Sequence, residues 1–185
     1  MRRLNLANFL TVARLLAAGP AIWAILDRRF TLALVILFLA GVSDALDGPL
    51  ARRRGQVTRF GARLDPVADK ILLSGSYLAL WAADVLPGWL VAIVFGRDAL
   101  ILAGVACLMA FTPRRDFAPS LWGKVSTVVQ VVAAVVFLTS AACPWDPLGR
   151  LAAASIWAVA AATVWSGIHY GIHAIARLRR PEPAP

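Results

Sequence analysis

Apolar residues arrive in six long runs, at about 8–26, 31–51, 65–86, 88–111, 124–142 and 149–170, joined by short polar links. The runs are continuously apolar and do not alternate, which points to helices and away from barrel strands. Each approaches the ~20 residues that a helix needs to cross a hydrocarbon layer. The pattern predicts an all-α membrane protein with six transmembrane helices, forming a single domain over residues 1–185.

Composition strengthens that reading. The chain has 185 residues, 60% of them hydrophobic, and a mean hydropathy of +0.73. A soluble core of this length cannot hide so much apolar surface. The net charge of +9 is unevenly spread. Arg2, Arg3, Arg52, Arg53, Arg54, Arg59, Arg63, Arg114, Arg115, Lys124, Arg177, Arg179 and Arg180 would share one side of the membrane. Only Arg28, Arg29 and Arg150 would lie on the other. That bias predicts cytoplasmic termini. The basic surplus thus reports topology and an attraction to anionic membrane lipids, with no nucleic acid as partner. Trp81, Trp89, Trp122 and Trp145 fall near run ends, where interfacial anchors belong.

The N-terminus imitates a signal peptide, but Arg14 interrupts its apolar stretch and five more runs follow, so it reads as a retained first helix. Cys107 and Cys143 define neither a metal motif nor a disulfide framework. The tail RRPEPAP reads as a frayed end.

One passage breaks the apolar pattern: SDALDGPLARRRGQVTRFGARLDPVADK, residues 43–70. Asp44 and Asp47 are three apart at the end of the second run, and Asp65 and Asp69 are four apart at the start of the third. Both spacings put the acids on one helical face. The short link predicts that the two helices are antiparallel neighbours, with four carboxylates at one end. A carboxylate at the bilayer centre costs about 2.5–3.5 kcal/mol, so four at full depth would cost roughly 10–14 kcal/mol. Divalent cations relieve that cost, two of them balancing four carboxylates. All-oxygen ligands favour Mg²⁺ or Mn²⁺ over Zn²⁺. Carboxylates with a hard cation suit a phosphate or diphosphate ligand. The interleaved Ala45, Gly48, Ala51, Gly61, Ala62 and Ala68 leave room for a ligand or for close helix packing. The plainer alternative is an ion-paired loop with Arg52, Arg59 and Arg63.

The pattern Asp44-x-x-Asp47-Gly48-x-x-Ala51-Arg52, eight residues, then Gly61-x-x-x-Asp65-x-x-x-Asp69 resembles the complete signature of the CDP-alcohol phosphatidyltransferases. The resemblance implies that Asp44, Asp47, Asp65 and Asp69 bind a pair of metal ions, Mg²⁺ or Mn²⁺, and that Asp69 is also the general base. It implies that Gly48, Ala51 and Arg52 line the CDP site, with Thr58 and Gly61 near the nucleotide. Asn8, Thr11 and Arg14 share a helical face at the start of the first run, where the family's cytidine side extends; interhelical hydrogen bonding is their other reading. The implied reaction takes CDP-diacylglycerol, removes a proton from an acceptor alcohol through Asp69, attacks the phosphorus nearer the lipid and releases CMP. A homodimer is implied as well, in a bacterial cytoplasmic membrane with the site facing inward.

The acceptor is less legible. LDPVADK (64–70), GRDAL (96–100) and GKVSTVVQ (123–130) resemble the branch that makes cardiolipin or phosphatidylglycerophosphate. Glycerophosphate-using members commonly carry a further arginine two turns after the Arg97–Asp98 pair, and here that position is Val105. That favours phosphatidylglycerol as acceptor over glycerol 3-phosphate. Arg97, Arg115 and Lys124 are the candidates for the acceptor phosphate, with Asp98 expected to face away from Arg97. Arg97 in an ion pair with a signature aspartate is the alternative. Pro66 predicts a third helix starting close to Asp65. Pro49 would free the Ala45 carbonyl or simply kink the helix. His169 and His173 have a ligand spacing but no third ligand, and read as an interfacial pair. An ion or proton transporter would spread its acids through the bilayer depth, whereas these crowd at one surface. Intramembrane prenyltransferases differ in acid spacing and need more helices.

Overall fold

A computed structural model describes the backbone of residues 6–53, 61–111 and 121–178, with side chains over 13–42, 68–104, 106 and 121–172. Within these residues the chain forms six helices: α1 Leu6–Leu26, α2 Phe30–Arg53, α3 Gly61–Ala82, α4 Gly88–Phe111, α5 Leu121–Ala142 and α6 Asp146–Leu178. Each apolar run becomes one helix. α3 begins four residues before Asp65, so Pro66 falls in its second turn and does not mark its start. α1 continues through Pro20, and α2 through Pro49.

The helices close a ring in the order α1, α2, α5, α6, α4, α3 and back to α1, with α3 and α5 also touching across it. This corrects one expectation. Among the described residues α2 and α3 do not pack directly; α1 packs against both. The reason lies in side-chain size: α1 buries Ala18, Ala21 and Ala24 beside Arg14 and Ile25, and the three alanines admit close neighbours. Gly75 of α3 meets this face, where an added methyl would sit 2.5 Å from Ile22 Cδ1.

Two tight corners hold the end of the ring opposite the acidic passage. Arg28 and Asp84 adopt positive φ, 57° and 60°. The amide of Arg29 reaches the Ala24 carbonyl and that of Arg28 the Ile25 carbonyl; Val85 to Leu80 and Asp84 to Trp81 repeat the pattern. These are Schellman caps, which satisfy the last carbonyls of α1 and α3. Arg28 and Asp84 also meet as an exposed ion pair, 3.2 Å apart, so both corners share one end of the bundle.

The core is built on Tyr77, Leu80, Leu90, Phe137, Leu138 and Val159, with the Tyr77 and Phe137 rings edge to face. Threaded through it is a polar seam. The Tyr77 hydroxyl donates to the Gln130 carbonyl at 3.0 Å, and Gln130 Nε2 donates to Thr163 Oγ1 at 3.1 Å. These buried groups satisfy each other, which is what permits them inside.

The outward face is apolar: Leu16, Phe38, Leu102 and Trp157 are all exposed. Two stretches, Leu121–Ala142 and Asp146–Ile172, are long and apolar enough to cross a membrane. Only 33% and 22% of their apolar windows are buried, unlike the covered core helix of a soluble protein. Ala13–Leu26 and Phe30–Val42 are shorter apolar helical stretches.

Candidate functional site

The acidic passage occupies two helix ends. Asp44 and Asp47 lie in the last turns of α2, and Asp65 and Asp69 in the first turns of α3. The side chains of Asp44, Asp47 and Asp65 lie outside the described residues, as do those of Asn8, Thr11, Ala51 and Arg52 and the surroundings of Gly48 and Gly61. Thr58 and Arg115 lie wholly outside, and so do the side chains of Cys107 and His173.

Asp69 is described. Its carboxylate is 56% exposed and accepts a hydrogen bond from Arg14 Nη1 at 2.5 Å. Arg14 itself is buried. A guanidinium is withdrawn from solvent only with a partner, and the carboxylate supplies one. The contact joins α1 to the first turns of α3.

Lys70, the next residue, points to another helix. Its ammonium donates to Asp98 Oδ2 on α4. Asp98 Oδ1 in turn accepts from Arg97 Nη1 at 2.9 Å. Adjacent helical residues ordinarily diverge, yet these two meet, because the long Arg97 stem folds back to the carboxylate. Arg97 Nη2 donates to Ser166 Oγ on α6 at 2.7 Å and, at 3.5 Å, to the Gly123 carbonyl on α5. Arg97 Nε has no partner among the described residues. Arg97 therefore pairs with its neighbour rather than with a described signature aspartate. Lys124, one residue beyond Gly123, is exposed.

This relay links α3, α4, α5 and α6 from Lys70, the neighbour of Asp69. Arg97 was legible in the sequence; Lys70, Asp98 as a bridge, and Ser166 were not assigned to it. The available signal was that polar residues inside apolar helices turn inward and pair. Next to the relay, Trp122 packs edge to face on Trp165 and also lies 6.4 Å from His169. Trp122, Val125, Ala161, Ala162 and Trp165 line an outward apolar groove of about 350 Å³. Among the described residues no cluster of three or more His, Cys, Asp or Glu side chains forms.

Comparison with known proteins identifies the family. The sequence profile of the CDP-alcohol phosphatidyltransferases matches residues 4–165. The cardiolipin synthase (CMP-forming) of Streptomyces coelicolor is 34% identical over 99% of this chain and 88% of its own length. The probable phosphatidylglycerophosphate synthase of Mycobacterium tuberculosis is 34% identical, covering 92% of this chain and 82% of that protein. The probable cardiolipin synthase (CMP-forming) of Drosophila melanogaster is 32% identical over 83% of the chain, which spans only 52% of that longer protein. With the signature intact and the match running from α1 into α6, the chain belongs to the CDP-alcohol phosphatidyltransferase family.

Proposed function

We propose that this chain is an integral-membrane enzyme that transfers a phosphatidyl group from CDP-diacylglycerol to an alcohol and releases CMP. The observation that carries the reading is the position of Asp69: a half-exposed signature carboxylate at a helix end, steadied by a buried arginine from α1. The names of the relatives support the same activity class.

In this reading all six helices span the membrane, with both termini and the acidic end on the cytoplasmic side. The uneven basic residues support that orientation. Asp44, Asp47, Asp65 and Asp69 would hold divalent cations, Mg²⁺ or Mn²⁺; a set made only of carboxylate oxygens fits such ions. When bound, they would supply positive charge to the diphosphate and to the charge developing on transfer. Asp69 takes the proton of the acceptor hydroxyl. Arg14 orients Asp69 and keeps its oxygens from rotating away. Arg52 meets the diphosphate, with Gly48, Ala51, Thr58, Gly61, Asn8 and Thr11 on the cytidine side. Arg115 and Lys124 supply cations for the acceptor phosphate, while Arg97 is fixed by Asp98 and Ser166. A second copy of the chain completes a homodimer.

The favoured acceptor is phosphatidylglycerol, giving cardiolipin. The apolar groove between Trp122 and Trp165 supports a lipid acceptor, because its lining suits an acyl chain. Glycerol 3-phosphate, giving phosphatidylglycerophosphate, is the second reading, supported by the relatives that carry that name. The test supplies purified protein with labelled CDP-diacylglycerol, Mg²⁺ or Mn²⁺, and each acceptor in turn. CMP release with phosphatidylglycerol alone is expected. Release with glycerol 3-phosphate alone transfers the assignment to the second reading, and no release with either, from folded protein, overturns the activity.

A further inference from the structure

Resting on that transferase reading, we infer that Lys70 is a further side chain that receives the acceptor's phosphate, beside those already named, with Asp98 holding it in place until the acceptor arrives. The charge count motivates this. Asp98 is one carboxylate between two cations, Arg97 on one oxygen and Lys70 on the other. The other described partners of Arg97 are neutral, a hydroxyl and a carbonyl. The trio therefore carries one unbalanced positive charge.

Exposure decides where that charge can be used. The side chains of Arg97 and Asp98 are 10% and 9% exposed, whereas Lys70 is 46% exposed. Among the described residues the trio is open to an anion at Lys70. The two members of the pair differ in adaptability too. The arginine is a rigid fork already engaged on three sides, while the lysine ammonium rides a flexible stem and can exchange one oxygen partner for another. Of the nineteen basic residues only Lys70 and Lys124 are lysine.

Position then links the charge to the chemistry. Asp69 and Lys70 are consecutive on α3 and diverge, Asp69 toward α1 and Lys70 toward α4. A phosphate on Lys70 lies on the α4 side of Asp69, away from the face that α1 shares with the nucleotide. The acceptor hydroxyl is thereby brought to the base from the side opposite Arg14. Both candidate acceptors offer the required group, a phosphomonoester on glycerol 3-phosphate or a phosphodiester on phosphatidylglycerol.

Two measurements test this. In the first, the wild-type protein is labelled with an amine-reactive reagent and Lys70 is read by mass spectrometry. Labelling is expected to fall with glycerol 3-phosphate or with phosphatidylglycerol vesicles, and not with glycerol; the protecting arm names the source of the phosphate. Equal labelling of Lys70 in all arms overturns the inference. In the second, Lys70→Met is expected to raise the KM for the acceptor about tenfold or more while leaving the KM for CDP-diacylglycerol within about twofold, and Lys70→Arg recovers part of the loss. A purely structural lysine would move both constants together or neither, and either result overturns the inference. If Lys70→Met does not fold, the labelling of wild type decides. Wild type that releases no CMP with any acceptor defeats the transferase reading itself, whereas active wild type with unprotected Lys70 defeats only this assignment.

Discussion

Asp98→Asn removes one charge and changes almost no volume, which makes it a clean probe of the relay that joins Lys70, Arg97 and Ser166. In the structure Asp98 sits nine-tenths buried, 2.9 Å from the Arg97 guanidinium. Two unit charges at that separation attract by about 6 kcal/mol at an effective dielectric of about 20. The net loss is smaller, because the asparagine oxygen still accepts a hydrogen bond. Breaking a buried pair on one side ordinarily costs about 3–5 kcal/mol, since the remaining charge is stranded. The half-exposed Lys70 adds little to this sum, because water screens it. For a chain of this length the loss corresponds to a melting-temperature drop of about 6–20 °C. The assay is thermal unfolding of the purified protein in one fixed detergent. The double variant Arg97→Met with Asp98→Leu removes both charges and should melt above Asp98→Asn alone, as apolar replacements of buried pairs often do. Asp98→Asn melting within about 2 °C of wild type would refute the idea that this carboxylate neutralises a buried arginine.

Asp69→Asn keeps the shape of the side chain but cannot take a proton; CMP release should be lost while CDP-diacylglycerol binding, read by equilibrium titration with Mg²⁺ or Mn²⁺ present, survives. Arg14→Met removes the partner that orients Asp69, and turnover should fall about tenfold or more, measured as CMP release, with Arg14→Lys retaining part of it. Phe137→Ala empties a fully buried site beside Tyr77 and should cost about 3–5 kcal/mol, read as a lowered unfolding midpoint. Cys143 is a free, exposed thiol in the short link between α5 and α6. A membrane-impermeant maleimide added to intact cells should label it from outside; labelling only after lysis would reverse the proposed orientation.

The chain by itself determined the helices and the family. Unbroken apolar runs admit little but helices, so the six elements were legible to within about four residues at every end but the last, where α6 runs eight residues beyond the apolar stretch. The carboxylate spacing in 44–69 identified the family, because reactive groups near one another in sequence are placed by a single helical turn. What local pattern could not decide was which helices touch. The chain order suggested α2 beside α3, yet the buried alanines of α1 let it pack against both. Arg97 and Asp98 read as divergent neighbours, and only the approach of α5 and α6 turned the arginine onto Ser166 and Gly123 while Lys70 crossed to Asp98 from α3. Those pairings join residues 26, 69 and 28 positions apart. Periodicity reports one helix face at a time, and contacts of that span exist only once the faces have packed.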